Sequence, residues 1–320
     1  MRKIPAALAV LGLSAVGLAG CGLPAGYDDC SRPASDSSAT DLVTVSGSRD
    51  AQPDVSVPTP FHVESGSFAD VEEGTGTSLT APSQAVVLDM QIIGGETGEV
   101  IYESPYDGDL SRVTSFDQWV QAVPEFETAL ACATEGTRTV VALAPGDIEA
   151  ESAASLGLGE DESAVAVVDL QKVYLPRAQG SLVYNDTPGV PSVVRAPDGR
   201  PGVTLPDAPA PEELVVQTLI KGTGAEVTGD VPVRVHYTGI TWDGGEVFDT
   251  SWDSVPASLP LDGVVPGFAQ ALEGATVGSQ ILAVIPPDLA YGDQVQGAIP
   301  AGSTLVFVID ILGLDQAPTQ

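Results

Sequence analysis

Positive charge is scarce in this chain: 12 Lys and Arg stand against 44 Asp and Glu over 320 residues, a formal net charge of −32. Such a chain repels phosphate backbones and forfeits the counterion release that drives nucleic-acid binding, so nucleic acid is excluded as a partner. Histidine is nearly absent, with His62 and His236 alone, and no Cys/His spacing fits a zinc site, so no metal and no cofactor are assigned. Aromatics make up 5% of the residues, and cysteine occurs three times. What is abundant is turn-forming: 35 Gly and 26 Pro favour short elements separated by many turns, hence β-rich structure. With 43% hydrophobic residues the chain can build packed cores, and at about 150 residues per domain it is long enough for about two.

The N-terminus reads as an export signal. Arg2 and Lys3 precede an apolar run from Ile4 to Leu18 that is short for a membrane span, and small residues lead to Cys21. The segment Leu18 to Cys21 resembles the bacterial lipobox, which implies cleavage after residue 20 and a lipidated Cys21 as the first mature residue. Acyl chains contribute about 0.8 kcal/mol per buried methylene, enough to tether a domain without spanning the bilayer. The expectation is a protein exported and lipid-anchored to the outer face of a bacterial cell membrane. In that oxidising setting pairing is the default for Cys30 and Cys132; two unpaired thiols are the alternative.

Residues 21–43 read as a flexible spacer, after which the chain repeats itself in order. Pro53 to Pro58 resembles Pro201 to Pro206, and Gly74 to Gly76 recurs as Gly222 to Gly224, both at an offset of 148. Gly98 to Ser104 echoes Gly245 to Ser251, Val123 to Phe126 echoes Val265 to Phe268, and Ser163 to Leu170 echoes Ser303 to Asp310. A tandem duplication is therefore expected, with copies at 44–176 and 190–316, a linker at 177–189 and a tail at 317–320. In the second copy Val231 to Thr238 alternates as a strand, Val247 to Asp249 begins another, and Ser279 to Pro286 and Ser303 to Leu312 are apolar strands. Pro266 to Leu272 is the one helix candidate, with Pro placed where its missing N–H costs nothing. An α+β fold follows, an antiparallel β-sheet wrapped over a short α-helix in each copy.

Val235 to Gly239, Val247 to Ser251, Val264 to Phe268, Leu289 to Gly292 and Ile299 to Phe307, in that order, resemble the FKBP-type peptidyl-prolyl cis-trans isomerases over about 212–316. The resemblance implies an isomerase, or rotamase, of X-Pro bonds in exported polypeptides, and a site that macrolide inhibitors occupy in this family. It implies a prolyl pocket lined by Tyr237, Phe248, Val264, Val265, Phe268, Ile299 and Phe307, with Phe268 as its floor. Tyr291 would donate to a substrate carbonyl, the Val265 N–H would hold a second, and Asp249 would be a polar contributor at the rim, not a general base. The chain departs from the family pattern at Ser254, where many members carry an arginine that pairs with the aspartate, and at Ala257, where an aromatic often closes the pocket. Val295 and Ala298 also make the loop wall small, so a shallower site of modest activity is expected. In the same register the first copy carries Met90 for Tyr237, Ile101 for Phe248, Tyr102 for Asp249 and Val167 for Phe307, and keeps only Phe126 opposite Phe268. It reads as a degenerate domain that binds clients or holds the active one off the membrane. The alternative to an enzyme is a non-catalytic, membrane-anchored chaperone or client-binding module of the same fold.

Overall fold

Short β-branched runs broken by glycine turns give antiparallel strands throughout. The structure, a computed structural model, describes residues 30, 32, 34–48, 51–185 and 187–316. Cys21 and the expected export signal before it lie outside the described residues. Cys30 and Cys132 are both disulfide-bonded.

A small hairpin, β1 (Thr44–Ser46) and β2 (Asp54–Ser56), precedes the first sheet. That sheet contains β3 (Ser67–Glu72), β4 (Ala85–Gly94), β5 (Val100–Glu103), β6 (Thr114–Ser115), β7 (Arg138–Leu143) and β8 (Ala164–Val173). Helices α1 (Phe116–Ala122) and α2 (Glu125–Ala129) lie between β6 and β7, and α3 (Ala150–Ser155) between β7 and β8. The second half begins with β9 (Ser181–Leu182) and a hairpin of β10 (Ser192–Arg195) and β11 (Pro201–Thr204). It continues through β12 (Val215–Lys221), β13 (Val233–Thr241), β14 (Val247–Thr250), β15 (Ala257–Leu259), α4 (Pro266–Leu272), β16 (Gln280–Ile285) and β17 (Leu305–Leu314).

The two sheets share one topology. The first runs β3-β7-β8-β4-β5 with β6 also on β4; the second runs β12-β16-β17-β13-β14 with β15 also on β13, and adds β9 outside β12. Even the irregularities recur: β4 bulges against β8 between Val87 and Leu88, and β13 against β17 between Arg234 and Val235. Each sheet buries one face under its helix. Phe126 and Leu130 fill the first core and Phe268 and Leu272 the second, all at 3% exposure or less.

Two expected spacers are structured. The stretch assigned to a flexible linker up to residue 43 joins the folded body from Arg32 onward. Phe68 N–H donates to Ser35 Oγ, and Thr40–Leu42 forms a 3-10 turn that buries Thr40. The 177–189 linker is likewise built into the second domain. Ala178 N–H donates to the buried Asp310 carboxylate at 2.8 Å, Gln179 N–H donates to Gly278 O, and Ser181–Leu182 is the edge strand β9. Polar, glycine-rich composition hid these segments because their hydrogen-bond partners lie 33 to 132 residues away in the chain.

The domains meet through the end of β8. Tyr174, 1% exposed, donates its hydroxyl to Asp315, which also receives Arg234, while the Arg234 guanidinium lies 5.2 Å from the Tyr174 ring centre. Leu175 N–H donates to Leu312 O, so the segment leaving the first sheet is hydrogen-bonded to the last strand of the second.

Candidate active site

The helix α4 starts where Val265 adopts an extended conformation and Pro266 takes the first helical position. The Val265 N–H makes no hydrogen bond among the described residues and remains available as a donor. One turn on, Phe268 points down onto the sheet and is 3% exposed. Gly267 lets the helix sit this close: a Cβ there would come within 2.3 Å of the Ile285 side chain.

Four rings converge at this point. Phe307 on β17 stands edge-on to Phe268, with centroids 5.1 Å apart, and edge-on to Phe248 of β14 at 5.6 Å. Tyr237 on β13 lies 6.3 Å from Phe268 and 6.2 Å from Phe307. T-shaped pairs at these separations are favourable because ring edges are positive and ring faces negative. Gly239 makes the meeting possible, since a Cβ there would lie 2.6 Å from the Phe248 ring and 2.8 Å from Phe307. Val264, Val265, Leu289 and Tyr291 pack half-buried around this core, and Ile299 is 5% exposed within it. The loop carrying Tyr291 and Ile299 is held by Gly302 N–H donating to Gly292 O and by the Gln296–Ile299 bridge. The structure therefore brings together every residue the sequence proposed for the pocket.

The polar groups sit at the mouth. Tyr237 donates its hydroxyl to Asp249 Oδ2 at 2.5 Å, and burial followed by this carboxylate holds the phenol in its protonated form, well above its usual range. Asp249 is exposed, and no Lys or Arg pairs with it among the described residues. Ser254, where many members of the resembled family carry an arginine, directs its hydroxyl to the Ser251 and Val255 carbonyls. Ala257 lies in β15 opposite Val235 and leaves that rim low.

Sequence reasoning missed the residues that fix Tyr237. Ser251 Oγ accepts the Tyr237 N–H at 2.9 Å and contacts His236 Nδ1 at 3.0 Å, while Ser251 N–H donates to Tyr237 O. The His236 imidazole stacks on Trp252 with centroids 4.3 Å apart, and burial, then Arg200, lower its pKa to about 4. A serine following Thr in a turn gives no signal of this role. Its counterpart in the first copy is Ser104, which accepts the Met90 N–H and donates its own to Met90 O.

The first domain keeps the scaffold without the rings. Strand register places Met90 opposite Val168 as Tyr237 is opposite Ile309, and Tyr102 opposite Ile92 as Asp249 is opposite Gly239. The same register corrects one assignment. Ile92 faces Ala166 where Gly239 faces Phe307, so Ala166, not Val167, replaces Phe307, and Val167 packs on the other face of the sheet. The repeat motif shifted the match by one residue because a period-two strand punishes a single-residue slip by changing face. Ile92, at the position of Gly239, is 4% exposed in the core of the first sheet, and Glu149 N–H donates to Ala122 O, joining the loop after β7 to α1. A separate cavity of about 430 Å³ lies between the ends of β7 and β8 and α3, lined by Leu143, Ile148, Ala153 and Leu158. None of Met90, Ile101, Phe126 or Ala166 lines it. No group of His, Cys, Asp and Glu suited to a metal occurs among the described residues.

Comparison with known proteins bears on the second domain. The model of the FKBP-type peptidyl-prolyl cis-trans isomerases matches residues 224–312. A probable FK506-binding protein of Corynebacterium glutamicum is 42% identical over 114 residues, which are 35% of this chain and 97% of that protein. An FK506-binding protein of Streptomyces anulatus is 34% identical over 120 residues, 36% of this chain and 97% of that one. The FKBP-type isomerase FkpA of Escherichia coli K12 is 42% identical over 106 residues, but these are 33% of this chain and only 39% of that relative. Two whole relatives thus fit within the segment that holds the four rings, and the chain belongs to the FKBP-type peptidyl-prolyl cis-trans isomerase family.

Proposed function

We propose that the chain isomerises X-Pro bonds of exported polypeptides in the crevice of its second domain, while tethered to the outer face of the cell membrane through Cys21. The observation that carries the placement is the four-ring cluster of Tyr237, Phe248, Phe268 and Phe307, present in the second domain and without equivalent rings, apart from Phe126, in the first.

Resonance holds a peptide bond planar against rotation by about 18–20 kcal/mol, and uncatalysed X-Pro exchange takes on the order of tens to hundreds of seconds. A twisted amide has lost its charge separation, so an apolar, water-poor crevice favours it over the planar ground state. In this reading the prolyl ring rests on Phe268 between Phe307, Phe248 and Tyr237. The Val265 N–H holds one flanking carbonyl, the Tyr291 hydroxyl holds the other, and Asp249 orients Tyr237. No nucleophile and no proton transfer is needed, so Asp249 acts electrostatically.

Two sequence-based expectations complete the proposal. The Leu18 to Cys21 segment supports lipidation, and among the described residues no helix is long and apolar enough to cross a membrane. The in-order repeats and shared sheet order support a tandem duplication whose first copy presents clients or spaces the catalytic domain from the bilayer. Macrolides of the kind named in two relatives are proposed as competitive occupants of the same crevice.

The direct test is isomerisation of a Leu-Pro peptide by the full chain, followed by protease coupling or exchange NMR. Acceleration that FK506 blocks supports the crevice; a flat trace from folded protein favours a client-binding module. Mass spectrometry of the membrane-bound protein tests the anchor, which predicts a diacylglyceryl adduct on Cys21 and release of the Cys21→Ser protein from the membrane fraction.

A further inference from the structure

The prolyl crevice lies in a stretch without a single cation. From His236 to Gln320 there is no Lys or Arg, while ten Asp and Glu occur. Three of these carboxylates flank the residues that line the site: Asp262 is two positions before Val264, and Asp288 and Asp293 lie on either side of Tyr291. All three are exposed, as is Asp249, which has one oxygen on the Tyr237 hydroxyl and no cationic partner among the described residues.

Arg234 and Arg200, the arginines of the second domain nearest this stretch in sequence, are committed elsewhere. Arg234 is bound to Asp315 and to the Pro256 carbonyl, and Arg200 to Asp253. His236, the one histidine nearby, is held neutral at physiological pH by burial against Trp252. Ser254 leaves Asp249 without the intramolecular ion pair that would satisfy it. Exposed carboxylates of one sign on the segments that line an apolar crevice set up a negative field near its mouth, and a positive charge on an entering chain is drawn to it first.

We propose that this site selects prolyl segments with a lysine or arginine beside the isomerising bond and discriminates against acidic ones, with Asp249, Asp262, Asp288 and Asp293 as its specificity-determining residues. The inference rests on the isomerase activity of the second domain. The cation remains in solvent at the rim while the prolyl ring enters the apolar floor, so neither group has to be buried unpaired.

The test is kcat/KM of the full chain on peptides that differ only in the residue before proline: Lys, Arg, Leu or Glu. At low ionic strength the Lys and Arg peptides are expected to exceed the Glu peptide by about tenfold or more, with Leu between, and the ratio is expected to shrink to about twofold near 1 M salt, where the Debye length is about 3 Å. The triple variant Asp262→Asn, Asp288→Asn, Asp293→Asn should flatten the preference while still turning over the Leu peptide. A control of the same net charge, Glu96→Gln, Glu99→Gln, Glu160→Gln in the first domain, should leave the preference intact.

Equal turnover of Lys, Leu and Glu peptides at low salt overturns the proposal. So does a loss of preference in the control as large as in the rim variant, which would assign the effect to net charge. If no peptide is accelerated, including Leu-Pro, the isomerase reading itself has failed and the selectivity falls with it.

Discussion

Replacing Phe307 with leucine is expected to lower isomerase activity sharply while leaving the domain folded. Phe307 is 6% exposed and touches three other rings, at 5.1, 5.6 and 6.2 Å between centroids. Leucine retains most of the apolar volume, and swaps of this kind in a core cost up to about 1.5 kcal/mol. Losing the edge-to-face geometry adds about 0.5–1.5 kcal/mol per pair, partly recovered by repacking, so the net loss is expected near 2 kcal/mol. A domain of ordinary stability, about 5–15 kcal/mol, survives that.

The effect on catalysis should exceed the effect on stability in consequence. In the proposed reading Phe307 forms a wall against which the twisted prolyl amide rests, and each 1.4 kcal/mol of lost transition-state contact is about a tenfold loss of rate. A fall in kcat/KM of about 10–100-fold is therefore expected. It should fall largely in kcat, because the contact matters most when the amide is twisted. The assay is exchange NMR or protease coupling on the full chain, with urea unfolding of the same preparation. Phe126→Leu in the first domain is the control: Phe126 is fully buried opposite the position of Phe268, so stability should fall comparably with activity unchanged. A Phe307→Leu protein that unfolds as expected yet keeps kcat/KM within about twofold of the parent would refute the crevice, given the size of aromatic contacts.

Three further outcomes are expected. Tyr237→Phe removes the hydroxyl that Asp249 accepts, and kcat/KM should fall about two- to tenfold, in line with one partly exposed hydrogen bond near 1 kcal/mol; a loss above a thousandfold would show instead that the hydroxyl takes part in the chemistry. Arg138→Met should cost about 3–5 kcal/mol in urea unfolding, because Asp169 would be left buried without the Arg138 guanidinium it binds at 2.7 Å, and the double variant Arg138→Met, Asp169→Leu should recover much of it. Asp310 and His236 should oppose each other in acid. Burial raises Asp310 to about 6, so its folded form binds the extra proton and stability rises as pH falls from about 6 towards 3.8. His236, lowered to about 4 from 6.5, loses stability over nearly the same interval because the unfolded chain takes up the proton first. Asp310→Asn should therefore become less stable relative to the parent on acidification from pH 6.5 to 4, by on the order of 3 kcal/mol; parallel curves would exclude this linkage.

How far the sequence went can be followed element by element. Helix α4 was legible because Pro266 starts it and Phe268 and Leu272 share a face. The strands showed in alternation and in long apolar runs, and the pocket residues in five short motifs in fixed order. Where the motifs repeated only loosely, register failed by one residue, at Ala166 and Val167, since composition cannot tell the two faces of a fully buried strand apart. Ser251, Gly239 and the Asp310 tether to Ala178 were invisible for a related reason: each acts on a partner brought near only by folding.

The sequence by itself determined the charge, the in-order repeats and the family of the second domain, because these depend on which side chains occur and in what order. Only the tertiary structure decided that the rings meet within 5.1 to 6.3 Å, that the Ser254 hydroxyl turns to backbone carbonyls, and that Ile92 is buried at the position of Gly239. These facts depend on strand register and on the close approach that two glycines permit, and neither is a property of any local stretch of the chain.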